Sequence, residues 1–399
     1  MHRRILVAGM GKGGHAFAGT LAQSGHDVVV MTSDPKKKEF FEAHGNSVLL
    51  TGIRTGSGKL EEVVFCKRGT SPPEGRAAAA VKESDIILII TDATVHRDFA
   101  EKLAPLLGGQ HVVLTAAGIG GALEFQRAVK RLNPSFNGTV SETDTLLYAC
   151  QVPQTGTSYI KAEKKTVIFT TLRNDARTVS ELQHLFPQFH YVPDPLMGID
   201  DSPVLHVVGM VMNADRIRAG EDFNFYLDGT TPEVAETMQK MDEERCRVGE
   251  KLDIACRSLR NWIHKAYGVQ IGLLHEMIHA VPPYQNTKDI QNRSPAPKTL
   301  QHRYLTEEIP LKVVPLEEIG RIIGVLTPLY SEMIDKVDEL LGTDYRRTGR
   351  TLADMGLTEE HISNWPSQRE LVRRRGRSSP PDAGVSSREA EQRAQEASR

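Results

Sequence analysis

Cysteine is scarce in this chain of 399 residues: Cys66, Cys150, Cys246 and Cys256 lie far apart and never in C-x-x-C spacing. That excludes a thiolate metal site and a disulfide framework as organising features, and the four are expected as reduced, mostly buried side chains. Long apolar runs are missing too. None approaches the roughly 18 residues that span a bilayer, which excludes a transmembrane helix and any membrane partner. The N-terminus passes from Arg3-Arg4 through only four apolar residues into a glycine turn, which leaves no space for a signal-peptide core, so a cytoplasmic location is expected. An excess of charge of either sign is also absent. With 49 Lys+Arg against 51 Asp+Glu and a net charge of -2, nothing pulls the chain toward nucleic acid or anionic lipid. Partners must be small molecules recognised at sites. The length allows two domains, each with a full core, and a homodimer is permitted.

Against these absences stands one concentration of glycine, Gly9-Met10-Gly11-Lys12-Gly13-Gly14, which follows Ile5-Leu6-Val7-Ala8 and precedes a helical stretch over residues 15–24. Strand, glycine turn and helix in that order make a dinucleotide cradle. Gly9 permits the tight turn, Gly11 lets backbone approach a pyrophosphate and Gly14 lets helix pack on strand, with Lys12 and Gly13 completing the loop. The phosphates would lie at the helix N-terminus, where unpaired N-H groups and the helix dipole favour anions. A second strand over 27–31 follows at the distance a βαβ unit requires. Aliphatic runs at 61–65, 86–90, 111–114 and 166–171 read as further strands of a buried sheet. Residues 67–76 read as a loop, and 186–195 as irregular chain near a domain boundary.

The period changes beyond Pro203. From Thr231, an N-cap followed by Pro232, apolar residues recur at Val234, Met238, Met241, Val248, Leu252, Ala255, Leu259 and Trp262, which predicts one long helix. Thr327-Pro328 is expected to cap another, stopped by Gly342. The fold class is therefore α/β: an N-terminal Rossmann dinucleotide-binding domain over 1–198 and a C-terminal all-helical domain over 199–366. Residues 367–399, with Arg373-Arg374-Arg375-Gly376-Arg377 and almost nothing apolar, read as a disordered, solvated tail.

The second strand ends in Thr32-Ser33-Asp34-Pro35-Lys36-Lys37-Lys38. An NAD-binding unit carries an acid at this strand end to accept from the ribose 2'-hydroxyl. Here Thr32, Ser33 and Lys36 suit a 2'-phosphate, which favours NADPH over NADH, while Asp34 two residues on keeps NADH open. For the chemistry, His206 sits where the helical half begins, and the stretch Gln301-His302-Arg303-Tyr304-Leu305-Thr306-Glu307-Glu308-Ile309 offers a guanidinium for a substrate carboxylate and carboxylates able to orient an imidazole. Spacing alone does not bring them together. A rival motif, His275-Glu276-Met277-Ile278-His279, has the H-E-x-x-H spacing of a zinc hydrolase. Pro282-Pro283 break the chain just beyond it and no G-x-x-H continuation follows, so no metal is expected.

A series of blocks follows in order along the chain: Gly11-Lys12-Gly13-Gly14-His15-Ala16-Phe17, Gly120-Gly121-Ala122-Leu123-Glu124-Phe125, Glu142-Thr143 with Tyr148-Ala149-Cys150, and Val204-Leu205-His206 with Asn213. It continues through Tyr226-Leu227-Asp228-Gly229-Thr230-Thr231-Pro232, Arg303-Tyr304 and Arg347-Thr348-Gly349-Arg350-Thr351-Leu352. In these blocks, from about Arg4 to Leu357, the chain resembles the opine dehydrogenase family. The resemblance implies reductive condensation of an amino acid, or another amine, with a 2-oxo acid such as pyruvate, through an imine reduced by NADPH or NADH. It also implies His206 as the proton-moving residue, Glu308 as its partner, Arg303 as the carboxylate ligand, and Asn213 and Glu142 as substrate contacts. Two departures stand out: glutamate occupies position 308 where the family has aspartate, and Asp215-Arg216 replace a His-Pro pair. Two other readings share the cradle: a dehydrogenase acting on a 2-oxo or 2-hydroxy acid or cyclic imine with no separate amine, and a nucleotide sensor without turnover.

Overall fold

The computed structural model describes residues 2–116, 118–173, 175–285 and 294–365. The arginine-rich tail, expected to be disordered, lies outside the described residues. Among them, no helix is long and apolar enough to cross a membrane.

The N-terminal half is built on an eight-stranded sheet. Among the described residues the strands are, in sequence, β1 (Arg4–Ala8), β2 (Asp27–Thr32), β3 (Ser47–Gly52), β4 (Gly56–Lys59), β5 (Glu62–Phe65), β6 (Ile86–Ile89), β7 (Val112–Thr115), β8 (Thr139–Thr143), β9 (Tyr148–Gln151), β10 (Thr157–Glu163), β11 (Val167–Thr171) and β12 (Phe189–Tyr191). The large sheet runs β12-β11-β8-β7-β6-β1-β2-β5, with parallel pairing except between β8 and β11. Strand order reverses between β1 and β6, which opens a crevice at the carboxyl end of β1, the ligand position of such sheets. Helices α1 (Lys12–Gln23), α2 (Pro35–Ala43), α3 (Gly75–Glu83), α4 (His96–Leu103), α5 (Gly121–Leu132) and α6 (Ala176–Leu185) connect the strands. Side-chain alternation along β1 divides the core in two: Ile5 and Val7 join α1 and α6 residues such as Phe17 and Leu182, whereas Leu6 and Ala8 belong to an apolar cluster that continues into the helical half through Val204, Val207 and Met238.

Two features escaped the sequence. A separate sheet, β4-β3-β10-β9, covers α1; a Cβ at Gly58 would lie 2.1 Å from the Gly19 carbonyl, and one at Gly19 would press on the Leu50 and Val48 side chains at 2.8 and 2.9 Å. The stretch 186–195 is also not wholly irregular, because β12 pairs with β11.

The helical half comprises α7 (Val204–Met212), α8 (Ala214–Arg218), α9 (Pro232–Lys251), α10 (Leu259–Tyr267), α11 (Leu274–His279), α12 (Arg303–Thr306), α13 (Val314–Ile323) and α14 (Pro328–Leu341), with short turns to residue 365. Thr231 caps α9 as expected, accepting from the Val234 N-H. The single long helix predicted from Thr231 to Trp262 is instead broken. Its chain reverses at Asp253, whose φ is +56°, and the buried Arg245 guanidinium donates across the break to the Arg257 carbonyl and, outside it, to that of Ile199. Asp242 accepts the Leu259 N-H and Ser258 caps α10. The apolar stripe crossed the break unaltered because both helices bury the same core. Thr327 does not cap α14 with its side chain; the Glu244 carboxylate, from α9, accepts the Leu329 and Tyr330 N-H groups instead. Gly342 ends α14 in the left-handed conformation, as predicted.

Candidate active site

A cleft of about 1290 Å³ runs between the carboxyl edge of the large sheet and helices of the second half. At one end lies the glycine turn. Gly9 has φ +117°, and a Cβ there would lie 2.3 Å from the Ile90 carbonyl. A Cβ at Gly14 would lie 2.0 Å from the Gly9 carbonyl, whereas one at Gly11 would meet nothing within 4 Å. The first two glycines fold the turn and the third leaves room in front of it. No side chain caps α1 and no acid lies in its first turn, so its N-H groups and dipole are available to an anion. Gly9, Gly11, Lys12 and Gly13 line the cleft. His15 pins the turn from behind: its Nε2 accepts the Gly156 N-H and its Nδ1 donates to Gly11 at 2.9 Å, and burial lowers its pKa to about 4. These residues fit the pyrophosphate of a dinucleotide.

Thr32 and Ser33 also line the cleft. Lys36 does not; it is exposed, and its backbone N-H is capped by Asp34 at 3.0 Å. Sequence gave no means of ranking three consecutive lysines, since each turn of α2 points them differently. Lys37 is the one turned inward, donating to the Met10 carbonyl at 2.8 Å. A cation outside the lysine run, Arg68, reaches Ser33 Oγ at 3.3 Å from the loop after β5.

At the other end of the cleft, α7 presents His206. Its Nδ1 lies 2.5 Å from Glu308 Oε1, and its ring stacks on Tyr304 at 3.7 Å and 5°. Glu308 opens a wide π turn over Ile309–Val313, where Pro310 lacks the N-H that a regular helix would use. The same turn carries Lys312, which bridges Asp201 at 2.5 Å and Glu308 at 3.8 Å. Burial raises the Glu308 carboxyl, but Lys312, His206 and Arg303 outweigh it and hold the group below its ordinary range. Burial likewise works against the Lys312 ammonium, and Asp201 and Glu308 more than offset it. Arg303, on α12, lies half exposed to the cleft beside Asp92 at 3.5 Å and Glu307 at 2.9 Å. Glu307 also accepts the Ala93 N-H, which joins the two halves of the molecule at this edge.

Two residues expected at the site are occupied elsewhere. The Asn213 amide donates to the Gly209 and Gly229 carbonyls, both at 2.9 Å, and closes the end of α7. Glu142 is fully buried and accepts the Gly121 and Ala122 N-H groups at 3.2 and 2.9 Å, so it serves the N-terminus of α5. Neither lines the cleft. Tyr226, Tyr304, Lys312 and Arg68 were missed as site residues, although Tyr226 and Tyr304 lie inside the motifs that carried the family resemblance. Of the H-E-x-x-H residues, His279 is committed to the Thr230 carbonyl at 3.1 Å. Among the described residues, no three His, Cys, Asp or Glu side chains gather as metal ligands.

Fold and cleft together define a two-domain, dinucleotide-binding dehydrogenase. Residues 200–341 match the family profile of the NAD/NADP octopine/nopaline dehydrogenase alpha-helical domain, and residues 5–165 match that of ketopantoate reductase PanE/ApbA. The chain is 30% identical to an opine dehydrogenase of Arthrobacter sp. (strain 1C) over 364 residues, 89% of this chain and 96% of the relative. Among solved structures it is similar to octopine dehydrogenase in complex with NADH and agmatine, at 19% identity and TM-score 0.68, covering 88% of this chain and 93% of that one. It is also similar to yersinopine dehydrogenase with NADP+ bound, at 13% identity and TM-score 0.63, covering 95% and 99%. The chain belongs to the opine dehydrogenase family, and is an NAD(P)-dependent oxidoreductase of the CH-NH group.

Proposed function

We propose that His206, Glu308 and Arg303 carry out the condensation of an amino acid with a 2-oxo acid in this cleft. The observation that carries the reading is the His206–Glu308 pair, 2.5 Å apart, in one cleft with Arg303 and the glycine turn. The Arg303 guanidinium would take the oxo-acid carboxylate in a forked pair, displacing its contact with Asp92. The amine lone pair attacks the keto carbon. His206 takes the proton that the substrate ammonium sheds to become a nucleophile, a second nitrogen proton passes to the keto oxygen after the attack, and His206 returns the first to that oxygen as it leaves as water, while Glu308 holds the ring and stabilises the imidazolium. The walls of the cleft hold the resulting protonated imine in line. When bound, the reduced nicotinamide supplies the hydride that converts the protonated imine to a secondary amine.

NADPH is the favoured cofactor because Thr32, Ser33 and Arg68 offer two hydroxyls and a guanidinium where a 2'-phosphate would sit, while the Asp34 carboxylate is turned into α2. The amine side of the cleft is walled by Tyr226 and Tyr284, stacked at 3.8 Å, with Tyr267 and Trp262 beyond, a surface that suits an apolar or aromatic amino-acid side chain. We place the enzyme in the cytoplasm, in keeping with four free cysteines.

NADPH oxidation with pyruvate, in the presence and absence of single amino acids, tests the reading. Amine-dependent oxidation supports it. Oxidation that requires the oxo acid alone would refute it in favour of simple carbonyl reduction.

A further inference from the structure

His206 does not face the cleft alone. Its Nε2 lies 3.1 Å from the Tyr226 hydroxyl, which lies 3.0 Å from the Tyr304 hydroxyl. An ionised Glu308 can only accept, so the ring proton resides on Nδ1 and Nε2 presents its lone pair. An imidazole nitrogen has one such lone pair, in the ring plane, and Tyr226 occupies it. Both partners are held. Tyr304 stacks flat on the imidazole, Tyr284 stacks on Tyr226, and the Asn224 side-chain carbonyl accepts the N-H groups of Tyr226 and Leu227. A reacting oxygen that exchanges a proton with Nε2 therefore does so through the Tyr226 hydroxyl, which lines the cleft with His206.

We propose that Tyr226 is a catalytic residue whose hydroxyl passes the proton between His206 Nε2 and the substrate oxygen. The inference rests on the condensation reading and specifies its proton path. The amino group enters as an ammonium: the proton it sheds to become a nucleophile goes to the Tyr226 oxygen as the Tyr226 O-H proton moves to Nε2, leaving an imidazolium, and after the attack a second nitrogen proton passes to the former carbonyl oxygen to give the neutral carbinolamine. In the dehydration step the Tyr226 O-H proton goes to the carbinolamine hydroxyl as its C-O bond breaks and the nitrogen lone pair forms the C=N bond of an iminium, which keeps its remaining N-H. Tyr226 is refilled from Nε2-H, so water departs and the imidazole returns to neutral. No tyrosinate is formed, in keeping with burial, which pushes the Tyr226 phenol well above its ordinary range, as do the neighbouring Tyr304 and Tyr284. The ionisable groups about this pair are Glu308, His302, Tyr304, Tyr284 and Tyr267, with Arg303 and Lys312 behind them.

The test is Tyr226→Phe in the full chain, followed by kinetics and by the 15N NMR signal of His206 Nε2. The variant should lose roughly 10²-fold in kcat, with cofactor affinity retained. The dependence of kcat on deuterium fraction should be bowed in the parent and linear in the variant, a difference that mere loss of packing would not produce. The Nε2 signal should move once its donor is gone. Activity within about threefold of the parent would overturn the proposal, since His206 would then reach the substrate directly. An unmoved Nε2 signal would overturn it whatever the activity. If the parent reduces an oxo acid without any amine, the condensation reading fails, and the same variant still tests the relay to the carbonyl oxygen. If the parent turns nothing over, the NMR signal decides alone.

Discussion

Replacing Glu308 with glutamine changes one charge and almost no volume, at the atom nearest His206. In the parent, Oε1 accepts from Nδ1-H at 2.5 Å and Lys312 stands 3.8 Å from Oε2. Two losses follow. The imidazolium formed during addition and dehydration loses a counter-charge, worth about 4 kcal/mol at about 4 Å and an effective dielectric near 20, or about three decades in rate. The amide can also turn its NH2 toward Nδ1, which would place the ring proton on Nε2 and remove the lone pair that Tyr226 faces. Glu308→Gln should therefore lower kcat by roughly 10³-fold, measured as amine-dependent NADPH oxidation at saturating substrates, while the dissociation constant for NADPH, from quenching of protein fluorescence, stays unchanged. Glu308→Asp keeps the charge but withdraws it by one methylene, and should recover most of the loss. A Glu308→Gln enzyme within about tenfold of the parent would refute the assignment of Glu308 as the residue that holds and charges His206.

Arg68→Ala should raise KM for NADPH about tenfold, the worth of one charge-assisted hydrogen bond, and leave KM for NADH unchanged; equal effects on both would place Arg68 away from the 2'-phosphate. Burial raises Glu142 from its usual 4.5 to about 7, against two backbone donors and Arg350. Between those values the folded protein holds a proton that the unfolded chain has released, so stability should fall as pH rises from about 4.5 through 7, by about 3 kcal/mol from this residue. Urea unfolding at pH 5 and pH 8 measures the fall, and Glu142→Gln should flatten it; an unchanged pH slope would contradict the shift. Trp262→Ala should lower kcat/KM for aromatic amino acids about tenfold relative to alanine, and a uniform loss across amines would show that the aromatic wall does not select the side chain.

The cradle was legible in the sequence because everything that makes it is local. Ile5-Leu6-Val7-Ala8 and the glycines after it encode a strand, a turn and a helix within a few residues, and steric demands such as the 2.0 Å approach at Gly14 admit no other side chain. The change of period beyond Pro203 separated the helical half in the same way. Tertiary structure alone decided whatever depends on residues far apart in the chain meeting. His206 and Glu308 lie 102 positions apart, and only the packing of α7 beside the π turn brings them within 2.5 Å. Hydrophobic period could not show the break before α10, because both helices bury their stripes in one core, and the reversal is held by Arg245 and Asp242. Polar side chains were hardest to place from sequence, because the same group can serve a substrate or the backbone. Asn213 and Glu142 went to carbonyls and helix N-H groups inside the fold, and Tyr226, a core aromatic by composition, turned its one polar atom to the histidine.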